Sequence, residues 1–198
     1  MRPFAAIAVA CAVALLSLGC ATPPAHLYNL TGAVAIGQAN ENALDVSVVV
    51  GPVSMPALFN VPQIVVIKGA NQVSLDEFNR WASPLADNIS RVVADNLVVM
   101  LGTNRVAVFQ WSPNAEPDYR VAIDFQTFES SLGHAASISA IWTVRRTKDG
   151  KTQTDRTVVR IAASGPGYDA LMAAHDQALM RLSENISGAI RVLNSTVP

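Results

Sequence analysis

The sequence predicts an α+β fold, a mainly antiparallel β-sheet with two long helices packed on one face. Two stretches, 83–102 and 169–192, repeat apolar residues at helical spacing. Before and between them lie runs rich in β-branched residues, several of them alternating apolar with polar. Turn residues separate these runs at short intervals, as hairpins require.

In chain order, His26-Leu27-Tyr28-Asn29-Leu30 reads as a first short strand, and Gly32 to Asn42 as a loop. Leu44 to Val50 reads as a strand that Gly51-Pro52 ends. Pro56 and Pro62 exclude helix and central strand from Val53 to Val61. Gln63 to Lys68 reads as a strand before a Gly69-Ala70-Asn71 turn. Ser74-Leu75-Asp76-Glu77 has the capping-box pattern, and a short turn of helix is expected there. Ser83-Pro84 then opens a long helix, with Ser83 as N-cap and Pro84 at the first helical position. Its apolar face is Leu85, Ile89, Val92, Val93, Asn96 and Met100, and Gly102 closes it. Arg105 to Phe109 is a short strand. From Tyr119 to Ala162 three strands should form an antiparallel meander. Tyr119, Val121, Ile123 and Phe125 share one face of the first, and Ile138, Ala140, Trp142 and Val144 one face of the second. Lys148-Asp149-Gly150-Lys151 is the turn into the third, along which Thr157, Val159 and Ile161 continue. Gly165-Pro166-Gly167 precedes the last helix, whose buried stripe is Leu171, Ala174, Ala178, Leu182, Ile186 and Ile190.

The first residues read as a targeting segment. Arg2 is followed by an apolar run from Phe4 to Leu18, the length of a signal-peptide core and short for a membrane span. Gly19-Cys20 ends it and resembles the lipobox cut by the lipoprotein signal peptidase, with Ser17 where that motif usually has leucine. The two cysteines are Cys11 and Cys20, and processing would leave Cys20 alone, at the mature N-terminus. A cysteine kept there is what an acyl anchor needs, and stable anchoring takes more than one acyl chain. The expected organisation is a signal peptide over 1–19, a lipidated tether over 20–26 and a single α+β domain over 27–198. Ala21, where Asp would retain a Gram-negative lipoprotein at the inner membrane, points to the outer membrane, facing the periplasm.

Charged residues make up 15% of the chain and the formal net charge is −1, so no basic face invites nucleic acid. The mean hydropathy of +0.30, part of it from the targeting segment, suits a protein with large apolar contact areas. The three histidines, His26, His134 and His175, have no partners at metal-ligand spacing. No H-E-x-x-H or G-x-S-x-G motif occurs, and the Ser164-Gly165-Pro166-Gly167 run lacks the P-loop lysine. We therefore expect no enzyme, no catalytic residue, no metal and no cofactor.

Recognition residues are sought between the two prolines. A loop held off the sheet by Pro56 and Pro62 would rarely keep Met55, Leu58, Phe59 and Val61 in water. These residues, with Gln63 and Trp81, are the candidate partner-binding set. Two accounts stand open: the side chains fold back as a lid on the core, or they meet a partner. Trp81 has the same two readings, packing the helix entry or anchoring a partner.

Several segments carry a family resemblance. Met55-Pro56-Ala57-Leu58-Phe59-Asn60-Val61-Pro62-Gln63-Ile64-Val65 resembles an LPxYLDRPQIV motif, with Asn60-Val61 in place of its Asp-Arg pair. Arg80-Trp81-Ala82-Ser83-Pro84-Leu85, then Asn88 and Arg91-Val92, resemble RWAEPL…N…RVL, with Ser83 in place of Glu. Leu27-Tyr28-Asn29-Leu30 is similar to an opening Tyr-x-Leu strand, and the closing helix with Ala173-Ala174-His175 and Ala178-Leu179 also fits. The chain thus resembles the PqiC/YmbA family of ABC-type transport auxiliary lipoproteins. The resemblance implies a component of an MCE/ABC-type intermembrane lipid-transport system, docking the MCE conduit at the outer membrane and supporting envelope integrity. It implies an MCE-domain protein as partner and, through it, an ABC permease and ATPase, with a homo-oligomer as a further assembly. The competing reading is a structural envelope lipoprotein of an unrelated outer-membrane assembly.

Overall fold

The computed structural model describes residues 24–33, 43–109 and 116–195. The targeting segment, Cys20 and most of the loop expected from Gly32 to Asn42 lie outside them. Eight strands and two helices follow in the order β1 His26–Tyr28, β2 Val48–Ser54, β3 Gln63–Gly69, β4 Gln72–Trp81, α1 Leu85–Leu101, β5 Val106–Val108, β6 Tyr119–Ser131, β7 Ala135–Arg146, β8 Thr152–Ala162 and α2 Tyr168–Ser195.

The sheet is mixed rather than mainly antiparallel. β3–β4, β6–β7 and β7–β8 pair antiparallel, whereas β1–β4, β2–β5, β2–β6 and β3–β6 pair parallel. Hairpins announce themselves by a local turn; parallel pairs joined by a crossover leave no such mark in sequence. The long strand β6 organises the sheet. One edge carries β7 and then β8. The other edge is divided: β2 lies along Tyr119 to Asp124, and β3 meets it at Ser130. The segment between β2 and β3 therefore leaves and rejoins the same edge. A register shift between Phe125 and Thr127 turns Phe128 and Ser130 back to the face of Phe125.

Three local expectations change. β2 does not stop at Gly51-Pro52 but runs on to Ser54, because the proline falls at a register shift between Val50 and Val53, where no ladder donor is required. Gly51 has φ 123°, and a Cβ there would come within 3.0 Å of the Phe109 Cβ. The capping box at Ser74 to Glu77 is strand: Ser74, Leu75 and Asp76 pair with Val66, Val65 and Ile64. Pairing with the adjacent β3 overrides the local helix signal. Asp76 then accepts from the Phe78 and Asn79 amides, which bends the end of β4. Finally, Ser83 does not cap α1. Pro84, with ψ 128°, is the N-cap, and the buried Ser83 hydroxyl has no hydrogen-bond partner. Gly102 ends the helix in the left-handed conformation, as expected, donating to the Val98 carbonyl at 3.0 Å.

Both helices cover one face of the sheet, α2 over β6–β8 and α1 over β2 and β5, and they pack on each other. The predicted stripes are buried except at the end of α1: Leu85, Ile89, Val92, Val93 and Asn96 are buried while Met100 is only half-buried, and on α2 Leu171, Ala174, Ala178, Leu182, Ile186 and Ile190 are buried. They meet Tyr119, Val121, Ile123 and Phe125 of β6 and Ile138, Ala140, Trp142 and Val144 of β7. Several polar groups inside this core are paired. Asn96 donates to Ser183 at 3.1 Å between the helices, and Trp142 donates its indole N–H to Thr157 at 2.9 Å. Arg146 donates to the Leu193 carbonyl near the end of α2 and to both Asp149 oxygens in the β7–β8 turn. Its guanidinium holds the Asp149 carboxyl well below the usual carboxylate range.

Candidate partner-binding site

The loop from Met55 to Gln63 sits where β6's edge passes from β2 to β3. Phe59 donates its amide to the Pro56 carbonyl at 3.0 Å, a tight turn that throws its ring inward. Phe59 is only 7% exposed and belongs to the core, so it acts as a lid in the isolated domain. Met55 and Val61 are half-buried against that core. Leu58 projects into solvent at 44% exposure. Gln63 begins β3 and donates to Glu77 at 3.2 Å; Glu77 in turn accepts from Arg80 at 3.0 Å. Trp81 is 7% exposed, its amide bonded to the Pro62 carbonyl at 2.8 Å. The structure thus brings the candidate residues to one region but divides them: Phe59 and Trp81 face inward, Leu58 faces outward.

Beneath the loop lies a cluster that sequence reasoning missed. Phe59, Val65, Trp81, Leu85, Phe128 and Ser130 enclose a small gap. Trp81 meets Phe128 edge-on at 6.2 Å and His175 at 6.5 Å, and His175 stacks flat on Phe128 at 4.3 Å. His175 is fully buried, its Nε2 lies 2.8 Å from the Ser130 hydroxyl, and its Nδ1 has no partner. Burial pushes the ring's pKa down to about 3, so it is neutral at physiological pH. The β6 register shift, invisible in the sequence, is what brings Ser130 to it. The buried ring and its contact with Ser130 tie α2 to β6.

A second junction ties β1, β4 and α2 together. Tyr28 and Tyr168 pack ring to ring at 5.2 Å, and the Tyr168 hydroxyl donates to Asp76 at 2.5 Å. Burial pushes the Asp76 carboxyl up, but hydrogen bonds from Tyr168, Asn79 and the Phe78 and Asn79 amides outweigh it and hold the group below its ordinary value. Burial, with Asp76 adding to it, raises the Tyr168 hydroxyl far above the usual phenol range.

Among the described residues no group of three or more His, Cys, Asp or Glu is placed to hold a metal ion, and no helix is long and apolar enough to cross a membrane. Fold and site together describe an α+β domain, begun at residue 26 by a short edge strand, whose ordered polar groups knit the core. The family model for the ABC-type transport auxiliary lipoprotein component matches residues 28–187, and the chain belongs to that family, the PqiC/YmbA-like lipoproteins. Among solved structures, an uncharacterized protein aligns at a TM-score of 0.69 with 20% identity, covering 85% of this chain and 99% of its own. A Xanthomonas campestris protein of the same family, under its DUF330 name, aligns at 0.63 with 22% identity, covering 82% of this chain and 93% of its own. At these identities the two structures establish the shared fold. No curated protein matches the chain.

Proposed function

We propose that this protein is the outer-membrane-anchored lipoprotein of an MCE/ABC-type intermembrane lipid-transport system, where it docks the MCE conduit at the membrane and supports envelope integrity. One observation carries the reading: the family match spans residues 28–187, nearly the whole folded domain, and begins eight residues after Cys20. The domain is thus the auxiliary component, and the stretch before it is a targeting segment with a cysteine to acylate. Ala21 supports the outer membrane as destination, with the domain in the periplasm. The role is structural and non-catalytic, to hold a channel end at a surface. The partner is an MCE-domain protein and, through it, a permease and ATPase; the Met55–Gln63 loop, with Leu58 outermost, is the surface offered to it.

The test is affinity purification of the tagged, acylated protein from detergent-solubilised membranes, with identification of what accompanies it. An MCE-domain protein should co-purify in stoichiometric amount. Recovery of an unrelated outer-membrane assembly without any MCE-domain protein would replace this reading with that of a structural envelope lipoprotein.

A further inference from the structure

Exposed large hydrophobic side chains are unevenly distributed over the described residues. Leu27, Leu58, Val73, Leu75 and Phe78 fall on β1, β4 and the loop beside them, while Val99, Phe109, Ile141, Val158 and Val192 are spread over the rest of the domain. The registers explain part of the grouping. Leu75 pairs with the buried Val65 and Val73 with the half-buried Ile67, and along β4 Val73 and Leu75 alternate with Asp76, which turns to Tyr168, so these two project outward. Leu27 pairs with Arg80 on β4's other edge and alternates with the inward Tyr28. It is 64% exposed and Leu75 is 44% exposed.

Charge follows the same pattern. From Gln63 to Leu75 the only charged residue is Lys68, exposed beside the β3–β4 turn. The nearest acids are occupied, Asp76 by Tyr168 and Glu77 by Arg80. The hairpin therefore offers an apolar outer face with a cation at its tip, which suits an anionic phosphate layer over hydrocarbon.

The length of chain before the domain says what covers this face. β1 runs parallel to β4 with His26 beside Asn79, so the chain enters β1 from the side of β4 on which Leu75 and Val73 lie. Five residues separate Cys20 from His26, so the two lie six residue steps and at most roughly 20 Å apart when the chain is fully extended. From Asn79 back to Val73 is also six steps along β4, and the bend at Asp76 keeps that distance at or below the same length. An acyl chain on Cys20 cannot carry the bilayer far from this hairpin.

We propose that the outer face of the β3–β4 hairpin, Val73 and Leu75 with Leu27 and Phe78 beside them and Lys68 at the tip, rests on the bilayer that holds the anchor and fixes the domain's orientation on it. The inference rests on acylation of Cys20. Apolar side chains in such an interfacial contact seat about 5–10 Å into the headgroup and acyl boundary.

The experiment uses the full protein, expressed, acylated and reconstituted into phosphatidylethanolamine/phosphatidylglycerol vesicles. A polarity-sensitive dye is placed on Leu75→Cys or, as control, on Val158→Cys of β8, which is 71% exposed and four strands away. Lipids carrying a spin label just below the headgroup serve as quencher. The protein should float with the vesicles, with the dye at position 75 quenched severalfold more than at 158. Flotation with equal quenching at both positions overturns the contact and leaves the anchor standing. Failure to float overturns the acylation reading and this proposal with it. A dye at 75 that is shielded only as protein concentration rises, without lipid quenching, assigns the face to a second copy and also overturns it.

Discussion

Lowering the pH should unfold this domain earlier than its carboxylates alone would. His175 is buried and neutral, with its folded pKa pushed down to about 3 against an ordinary 6.5. The unfolded chain therefore binds a proton that the folded chain refuses, and stability falls as pH drops from 6.5 toward 3. At about 1.4 kcal/mol per pH step, the loss is about 2 kcal/mol by pH 5. That is a large share of the roughly 5–15 kcal/mol that holds an ordinary domain folded. The assay is urea unfolding at pH 7.5 and 5.0 on the wild type and on the double variant His175→Leu, Ser130→Ala. Removing both partners leaves no unsatisfied hydroxyl, so the variant folds and lacks the titration. The wild type should lose about 2 kcal/mol more than the variant between the two pH values. An equal loss in both would refute the claim that His175 is held neutral beneath the loop.

Other outcomes follow from the same geometry. Truncating Leu85, Ile89, Val92, Leu182 or Ile186 to alanine should cost about 2–5 kcal/mol in equilibrium unfolding, since each lies between the helices and the sheet; losses below about 0.5 kcal/mol at most of them would mean the faces are misassigned. Phe59→Asp places an unpaired charge in the core and should lower stability by several kcal/mol, whereas Leu58→Asp, in solvent, should stay within about 0.5 kcal/mol of wild type while weakening recovery of the MCE partner. Unchanged stability of Phe59→Asp would show that its ring is not the lid. Cys20→Ser should abolish acylation, leaving an unprocessed or soluble protein; unaltered, salt-resistant membrane attachment would contradict lipidation at that residue.

The parts of the fold legible in sequence were those written in local pattern. The helix stripes from Leu85 to Val93 and from Leu171 to Ile190, the alternation along β6 and β7, and the Asp149-Gly150 turn each carry their signal within a few residues. What escaped depends on distant partners. Ser74 to Glu77 reads as a capping box in isolation and becomes strand because β3 lies beside it. The division of β6's edge between β2 and β3 has no local signature, nor does the shift after Phe125 that delivers Ser130 to His175. For the candidate site, two prolines and an apolar run located the loop, but only the turn at Pro56–Phe59 determines which ring enters the core. The hairpin face with Leu75 was masked by the helix reading of Ser74 to Glu77, since alternation along β4 has meaning only once it is a strand.

The central claim is that this lipoprotein holds an MCE conduit at a membrane, and the most direct test is a photo-crosslinker in place of Leu58 in living cells. Leu58 is the exposed tip of the loop, so the crosslinker reports contact without disturbing the core. The account predicts a crosslinked product containing an MCE-domain protein, found in the outer-membrane fraction and lost when Cys20→Ser detaches the domain. A crosslink from Leu58 only to an unrelated envelope protein, with no MCE-domain protein in any product, would contradict it.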